Sequence, residues 1–238
     1  MSLLRVDGLS RRFGGLRANQ DISFAVAEGS VVGLIGPNGA GKSTLFAMIA
    51  GADRPTSGHL HFAGREVTGW SAREAVRAGV ARTFQLMRVF GSMSVLDNLV
   101  VAAHVRYPGR RAATNRAEHV ARQLGLVEVA DLPAAGLTAV WKKRLEMGRA
   151  LATGPRLLLL DEVLSGLTPT EANEAVEVVR GLRRDGITVL MVEHVMEVIM
   201  PLCDRLVVLH HGEKLSEGTP AEVVSDPDVV EAYLGSPL

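Results

Sequence analysis

Residues 31–44 have the sequence Val-Val-Gly-Leu-Ile-Gly-Pro-Asn-Gly-Ala-Gly-Lys-Ser-Thr. The first five residues form a continuous apolar run, which predicts a strand buried on both faces. A glycine-rich turn follows, and residues 45–50 predict a helix. A strand, a glycine-rich loop and a helix in this order are typical of a parallel α/β sheet. This stretch therefore decides the fold class.

The loop has the pattern of a P-loop, which holds the phosphates of a nucleotide. Glycines let successive backbone N–H groups converge on phosphate oxygens, and the following helix points its N-terminus at the anion. Lys42 can reach the β and γ phosphates of ATP, and the Ser43 hydroxyl can bind Mg²⁺. A chance match would occur on the order of once in a hundred chains of this length. The nucleotide-binding residues we predict are Gly36, Pro37, Asn38, Gly39, Ala40, Gly41, Lys42, Ser43 and Thr44.

Two carboxylates follow a second apolar run. Residues 157–160 are four leucines, and Asp161 and Glu162 come directly after them. At the carboxyl end of a parallel strand these side chains would face the crevice where α/β sheets bind ligands. Asp161 would hold Mg²⁺, mostly through water, and Glu162 would polarise the attacking water. A solvated strand end is the alternative, but the P-loop elsewhere in the chain favours the catalytic interpretation.

The remaining sequence predicts an α/β P-loop NTPase with a mainly parallel core sheet, an N-terminal antiparallel β region and an inserted helical subdomain. From Phe90 to Ala152 the chain is rich in Ala, Arg and Leu at helical spacing, whereas strands and helices alternate after it. We expect a single domain, with residues 1–85 and 153–238 forming the nucleotide-binding core. Residues 86–152 would form the helical subdomain. The shorter elements predicted are strands at 3–9, 22–26, 60–62, 80–84, 188–192 and 205–209, and helices at 141–152, 169–184 and 196–203, with two more within 219–234.

The composition excludes some classes of protein. The 26 basic and 26 acidic residues balance, which argues against a broad basic surface for nucleic acid. The single cysteine, Cys203, permits no intramolecular disulfide and favours a reducing compartment. Residues 188–209 are the most apolar long segment, but charged residues interrupt them, so no membrane-spanning helix is predicted. The first residues show no signal-peptide pattern, and we expect a cytoplasmic protein.

With these motifs in this order, the chain resembles an ABC-transporter ATPase subunit over nearly its whole length. The resemblance implies that Phe13 stacks on adenine, a role suited to an aromatic face. It implies that Gln85 senses Mg²⁺ and the attacking water, and that His194 contacts the γ-phosphate. Without the family pattern, these would be a core phenylalanine, a strand-end glutamine and a core or surface histidine. The resemblance thus assigns catalysis to Glu162, His194 and Gln85, and the metal to Ser43, Gln85 and Asp161.

Three further stretches are similar to the larger of the two ATPase subunits of branched-chain-amino-acid importers. They are Arg-Phe-Gly-Gly-Leu near the start, Val-Phe-Gly-Ser-Met-Ser-Val-Leu-Asp-Asn-Leu after Gln85, and the terminal Glu-Ala-Tyr-Leu-Gly. This resemblance implies transmembrane permease subunits and a second ABC ATPase subunit as partners. It implies only indirect contact with a periplasmic binding protein, no nucleic acid, and a location on the inner face of the cell membrane. Such importers also carry urea, short amides and aromatic acids, so the cargo stays open.

The chain departs from the family in its signature motif. Residues 137–141 are Leu-Thr-Ala-Val-Trp where the family has Leu-Ser-Gly-Gly-Gln or Leu-Ser-Tyr-Gly-Gln. Val140 replaces the glycine that approaches the γ-phosphate on the opposing subunit, and a positive φ there would be strained. Trp141 replaces the glutamine. Two smaller departures are Val163 for a proline, and Thr168 for Asp or Asn after Ser165-Gly166-Leu167.

The resemblance implies head-to-tail dimers in which each ATP lies between one subunit's P-loop and the other's signature. A homodimer of this chain would then have two impaired sites. A heterodimer with a normal partner would have one competent site, built on this chain's P-loop and Glu162. We therefore expect a heterodimer in the working transporter.

Leu86–Phe90 is an apolar run beside Gln85. In the family this surface receives a short coupling helix of the membrane subunit. Exposed Met and Phe side chains can form such a docking surface, and burial in the core is the alternative.

Three functions stay open at this point. The first is an importer ATPase. The second is a soluble ABC ATPase acting on ribosomes or in DNA repair, although such proteins usually carry two cassettes or a long insertion. The third is a regulatory subunit that hydrolyses ATP weakly, which the altered signature would explain.

Overall fold

Two β-sheets organise the chain, which a computed structural model describes over residues 2–84, 88–163 and 168–234. The strands are β1 (Ser2–Phe13), β2 (Leu16–Ala27), β3 (Val31–Ile35), β4 (Ser57–Phe62), β5 (Arg65–Glu66), β6 (Val80–Arg82), β7 (Leu157–Asp161), β8 (Thr188–Val192), β9 (Arg205–His210) and β10 (Glu213–Gly218). The first sheet is antiparallel, with the order β2-β1-β4-β5. The second has the order β10-β9-β3-β8-β7-β6 and is parallel except at β10.

Helices cover the second sheet and form an insertion between β6 and β7. They are α1 (Lys42–Ile49), α2 (Ala72–Ala78), α3 (Val95–Ala103), α4 (Arg110–Gln123), α5 (Ala139–Ala152), α6 (Pro169–Arg184), α7 (Met196–Leu202), α8 (Pro220–Val224) and α9 (Pro227–Leu234). Within the insertion α3 packs against both α4 and α5.

The parallel sheet is buried on both faces, as the apolar run at residues 31–35 predicts. Every residue of β3, β7 and β8 is buried. Val32 and Leu34 belong to a core shared with the antiparallel sheet, α1 and α2, whereas Val31 and Ile35 belong to a core shared with helices α3 to α9. Side chains of one strand thus alternate between two cores. The predicted fold class is confirmed.

Some element boundaries differ from the prediction. The strand expected at 80–84 ends at Arg82, and the helix expected from Trp141 begins at Ala139 because Thr138 caps it. The β10 strand was not predicted, since its sequence, Glu-Lys-Leu-Ser-Glu-Gly, lacks apolar alternation. It is an edge strand that forms because its backbone pairs with β9, a contact that its own sequence does not indicate.

Parts of the predicted site lie outside the described residues. These parts are Gln85, residues 86–87 of the docking segment, and Ser165-Gly166-Leu167.

Candidate functional site

The glycine-rich loop leaves β3 and turns into α1 with backbone angles that favour glycine. Gly36, Gly39 and Gly41 have φ values of 149°, 81° and 97°. At Gly36 and Gly41 the space for a side chain is also too small. A Cβ on Gly36 would lie 2.1 Å from the carbonyl oxygen of Leu209, and one on Gly41 would lie 2.4 Å from that of Ala18. The loop therefore needs glycine at both ends for conformation and for packing.

Segments distant in sequence hold the loop. The Asn19 side chain of β2 is buried and donates to the carbonyl oxygen of Gly41 at 3.2 Å. The Gly212 N–H, in the turn between β9 and β10, donates to the carbonyl oxygen of Ala40 at 3.2 Å. The Gln20 N–H donates to the carbonyl oxygen of Gly212 at 2.7 Å, so β2 and this turn also join each other. Sequence reasoning missed Asn19 and Gly212, because no local pattern indicates contacts of this range.

Lys42 folds back over the loop. Its ammonium group donates to the carbonyl oxygens of Gly36 at 2.6 Å and Pro37 at 2.9 Å. Burial lowers the pKa of Lys42, and the negative charges of Glu162 and Asp161 oppose that change. The cation therefore lies near both carboxylates, in the crevice where the sequence places the phosphates.

The two carboxylates lie at the carboxyl end of β7. Asp161 is buried and pairs with the Arg82 guanidinium, whose Nη2 lies 2.7 Å from Oδ2. Glu162 has a φ of 50°, an uncommon value for this residue type, and its N–H donates to the carbonyl oxygen of Val192 at 3.0 Å. This bond fixes the sharp turn after Asp161 to the neighbouring strand β8.

One cleft of about 400 Å³ unites several predicted residues. Phe13 forms one wall, 45% exposed, with the Arg11 guanidinium 4.4 Å from its ring centroid. The size of the cleft suits a nucleotide, and its edges are aromatic, cationic and anionic. Its lining includes Phe13, Asn38, Gly39, Ala40, Gly41, Lys42, Ser43, Thr44 and Glu162.

His194 is not part of this lining. It is exposed and lies two residues beyond β8, the strand that separates β7 from β3. The ends of these three strands form the edge of the sheet that bears the P-loop, Asp161 and Glu162. The histidine is thus placed at this edge.

The altered signature forms the start of α5. Thr138 caps the helix, and its hydroxyl accepts from the Trp141 N–H at 3.5 Å. Val140 lies in the first helical turn and lines a small pocket with Met147 and Val163. Val140 has a helical backbone, so it does not adopt the positive φ that would be strained. Its effect on the signature is therefore the added volume of its side chain and not backbone strain. The Arg144 guanidinium lies 5.2 Å from the Trp141 ring centroid.

The described end of the predicted docking segment is exposed. Phe90 is 44% exposed, and the Arg149 guanidinium of α5 lies 4.8 Å from its ring centroid. Arg149 also donates to the carbonyl oxygen of Arg88 and pairs with Glu146 at 3.1 Å. Burial raises the pKa of Glu146, and Arg149 opposes this. Arg149 therefore connects the signature helix to this segment.

The sequence model of the ABC transporter family matches residues 19–165, which is more than half of the chain. The chain belongs to the ABC transporter family. A second model, described as the branched-chain amino acid ATP-binding cassette transporter, matches residues 213–237. That region includes β10 and α9.

Tyr233 in α9 contacts the start of the phosphate-binding loop. Burial raises the pKa of Tyr233 to about 12, and a hydrogen bond from the Gly36 backbone opposes this rise.

Curated relatives and a solved structure agree with this membership. The high-affinity branched-chain amino acid transport ATP-binding protein LivG of Salmonella typhimurium is 40% identical, with 98% of each chain covered. The corresponding protein BraF of Pseudomonas aeruginosa is 38% identical with the same coverage. An ATP-binding cassette of an ABC transporter, solved in its ADP conformation, has a TM-score of 0.89 and 31% identity, with 99% of this chain and 100% of that chain covered.

Membership of the ABC family fixes the general activity. The chain is an ABC ATPase, a nucleotide-binding cassette whose ATP hydrolysis powers transport, and such subunits associate with transmembrane permeases. Within the described ranges, no helix is long and apolar enough to cross a membrane.

Proposed function

We propose that this ABC ATPase binds and hydrolyses ATP to energise an importer of branched-chain amino acids or related small polar substrates. The observation that carries the proposal is the cleft that unites Phe13, the P-loop and Glu162. The cargo class rests on the C-terminal match at residues 213–237 and on the names of the relatives.

In this proposal each residue of the cleft has a separate task. Phe13 stacks on adenine, while the loop N–H groups and Lys42 hold the phosphates. Glu162 accepts a proton from the attacking water, and its fixed turn after β7 keeps the carboxylate in place. His194 and Gln85 contact the γ-phosphate and orient the water, as in the family pattern.

The donor set fits Mg²⁺. Ser43 contributes a hydroxyl at the start of α1, and Asp161 contributes a carboxylate held in place by Arg82. Oxygen donors of this kind, with waters completing the shell, are what Mg²⁺ prefers. When bound, the ion would neutralise charge on the phosphates. Gln85 is proposed as a further ligand on the family pattern.

The altered signature supports a heterodimer with a second ABC ATPase subunit. Val140 and Trp141 place two bulky side chains on the first turn of α5, where the family has glycine and glutamine. A partner with a normal signature would complete the site on this chain's P-loop. The complex would lie on the inner face of the membrane, with Phe90 and its neighbours against a permease. A periplasmic binding protein would deliver cargo without touching this chain.

The test compares the purified chain alone with the chain and its partner ATPase. We expect low hydrolysis by the chain alone and strong hydrolysis by the pair, and Glu162→Gln in this chain should abolish the gain. If the isolated chain hydrolyses ATP strongly, and Glu162→Gln abolishes this activity, the proposed need for a partner is wrong. Single-turnover hydrolysis in the pair separates a working ATPase from a regulatory subunit, because the latter would leave bound ATP uncleaved. Uptake of labelled leucine by the reconstituted transporter tests the cargo.

A further inference from the structure

Arg82 lies where three parts of the candidate site meet. It is the last residue of β6, and its guanidinium donates to Asp161 Oδ2 on the neighbouring strand β7 at 2.7 Å. The two side chains are only 14% and 5% exposed. A charge-assisted hydrogen bond so removed from solvent holds both groups in one geometry.

Two aromatic rings flank the same guanidinium. Its Cζ lies 5.8 Å from the ring centroid of Phe46, in the helix that Lys42 begins. It lies 5.6 Å from the ring centroid of Phe84, which precedes Gln85. Arg82 is therefore fixed by the phosphate-binding helix and by the segment that leads to the docking surface, as well as by Asp161.

The next residue holds the backbone of the same aspartate. The Asp161 N–H donates to the Thr83 hydroxyl at 3.0 Å, and that hydroxyl donates to the carbonyl oxygen of Leu159 at 3.4 Å. The pair Arg82-Thr83 thus positions both the main chain and the carboxylate of Asp161. Thr83 is fully buried, so its hydroxyl holds the Asp161 main chain away from solvent.

We propose that Arg82 is a positioning residue that orients the Asp161 carboxylate toward Mg²⁺ and so sets the metal affinity of the nucleotide site. The inference rests on the proposed place of Mg²⁺ at Asp161. With Oδ2 engaged by Arg82, the second carboxylate oxygen keeps a defined direction for the metal and its waters. Outer-shell partners of this kind change metal affinity by about 10- to 100-fold when they are removed.

A competing effect has the opposite sign, because a guanidinium also repels a cation. Arg82→Gln removes both the charge and the strong hydrogen bond. Arg82→Lys keeps the charge but loses the planar fork that bonds the carboxylate and stacks on rings. If orientation dominates, both variants bind Mg²⁺ more weakly. If repulsion dominates, Arg82→Gln binds it more tightly and Arg82→Lys changes little.

The experiment measures the affinity of the full chain for a fluorescent ATP analogue, in EDTA and across a Mg²⁺ titration. For Arg82→Gln we expect the half-saturating Mg²⁺ concentration to rise about tenfold or more, with the affinity in EDTA unchanged. Arg82→Lys should show a smaller rise. The matched control is Arg77→Gln, on the exposed side of α2, which should change neither quantity.

Three results would overturn the inference. They are an unchanged or lower Mg²⁺ requirement in Arg82→Gln, an equal loss of affinity with and without Mg²⁺, and the same shift in Arg77→Gln. Thermal melting checks folding, and if Arg82→Gln does not fold, Arg82→Lys decides by the same criteria. If the nucleotide affinity of the wild-type chain does not depend on Mg²⁺, the proposed metal site at Asp161 is wrong. The proposed role of Arg82 is then wrong as well.

Discussion

The side-chain amide of Asn19 and the backbone of Gly41 are in such close contact that a single added methyl group would not fit between them. A Cβ on Gly41 would lie 2.4 Å from Asn19 Nδ2, while Asn19 donates to the Gly41 carbonyl oxygen at 3.2 Å. The shape of the phosphate-binding loop is thus set by a residue of β2, more than twenty positions earlier in the chain.

We expect Gly41→Ala to destabilise the nucleotide-free protein more than Gly39→Ala does. Both glycines have positive φ, so alanine costs about 1–2 kcal/mol at either position. Only Gly41 adds a clash, since nothing lies within 4 Å of a Cβ on Gly39, and overpacking costs about 1–3 kcal/mol more. Urea unfolding without nucleotide measures the difference. Equal free energies of unfolding for the two variants would contradict the packing argument.

Phe13→Ala should weaken ATP binding. Stacking of a base on an aromatic side chain contributes about 1–3 kcal/mol, so the dissociation constant should rise about 5- to 150-fold. Phe13→Tyr should keep most of the affinity. Phe90→Ala is the matched control, because Phe90 is similarly exposed, at 44%, but does not line the cleft. Titration with a fluorescent ATP analogue decides, and an unaltered affinity in Phe13→Ala would refute the stacking role.

Restoring the signature should activate the isolated chain. Val140→Gly with Trp141→Gln removes two bulky side chains from the first turn of α5. One preorganised donor to a reacting oxygen is worth about 10²–10³-fold in rate, so we expect ATPase activity to rise at least about tenfold. The new glycine costs about 1 kcal/mol of stability. Adding Glu162→Gln should remove the gain; activity that persists in this triple variant would come from a contaminant.

Phe90→Ala should impair assembly with the permease and spare nucleotide binding. Phe90 is 44% exposed and does not line the nucleotide cleft. An aromatic residue at the centre of an interface contributes about 2 kcal/mol or more, which is about 30-fold in affinity. Co-purification with the permease and ATP titration are the two measurements. Val127→Ala, at a 56% exposed site elsewhere in the insertion, serves as the control. Weaker ATP binding with intact assembly would exclude the docking role.

Cys203 should make the protein sensitive to alkali. Burial, with the nearby charge of Asp204, raises the pKa of its thiol from 9.0 to about 12. The folded state therefore holds this proton more tightly than the unfolded state does. Stability is unaffected below pH 9 and falls between pH 9 and 12, by at most about 1.4 kcal/mol per pH unit.

Urea unfolding across this range should show the loss in the wild-type chain and a smaller one in Cys203→Ala. Parallel pH profiles for the two proteins would contradict the assignment. At pH 8 the folded thiol should also resist alkylation and react only after unfolding.

The sequence predicts the elements whose signals are local. Residues 31–44 fix a buried strand, a tight loop and a helix, because apolar runs and glycines act over a few residues. The contacts of Asn19, Arg82 and Gly212 depend on which strands become neighbours, and a single sequence holds no such signal. For β10 the reason is similar, since its polar residues become a strand only by pairing with β9. The altered signature was visible in the sequence, but only the structure distinguishes bulk at Val140 from backbone strain.

The loop at residues 36–44 is bounded by β2 on one side and by the turn at Gly212 on the other. A fragment that kept the nine loop residues with β3 and α1 alone would lack both walls of its own binding site. The phosphate-binding loop thus depends on segments as far apart in the chain as Asn19 and Gly212, and we expect a fragment limited to β3, the loop and α1 to bind nucleotide weakly. Conversely, a bound nucleotide should slow hydrogen exchange in β2 and β10, strands that contribute no residue to the loop itself.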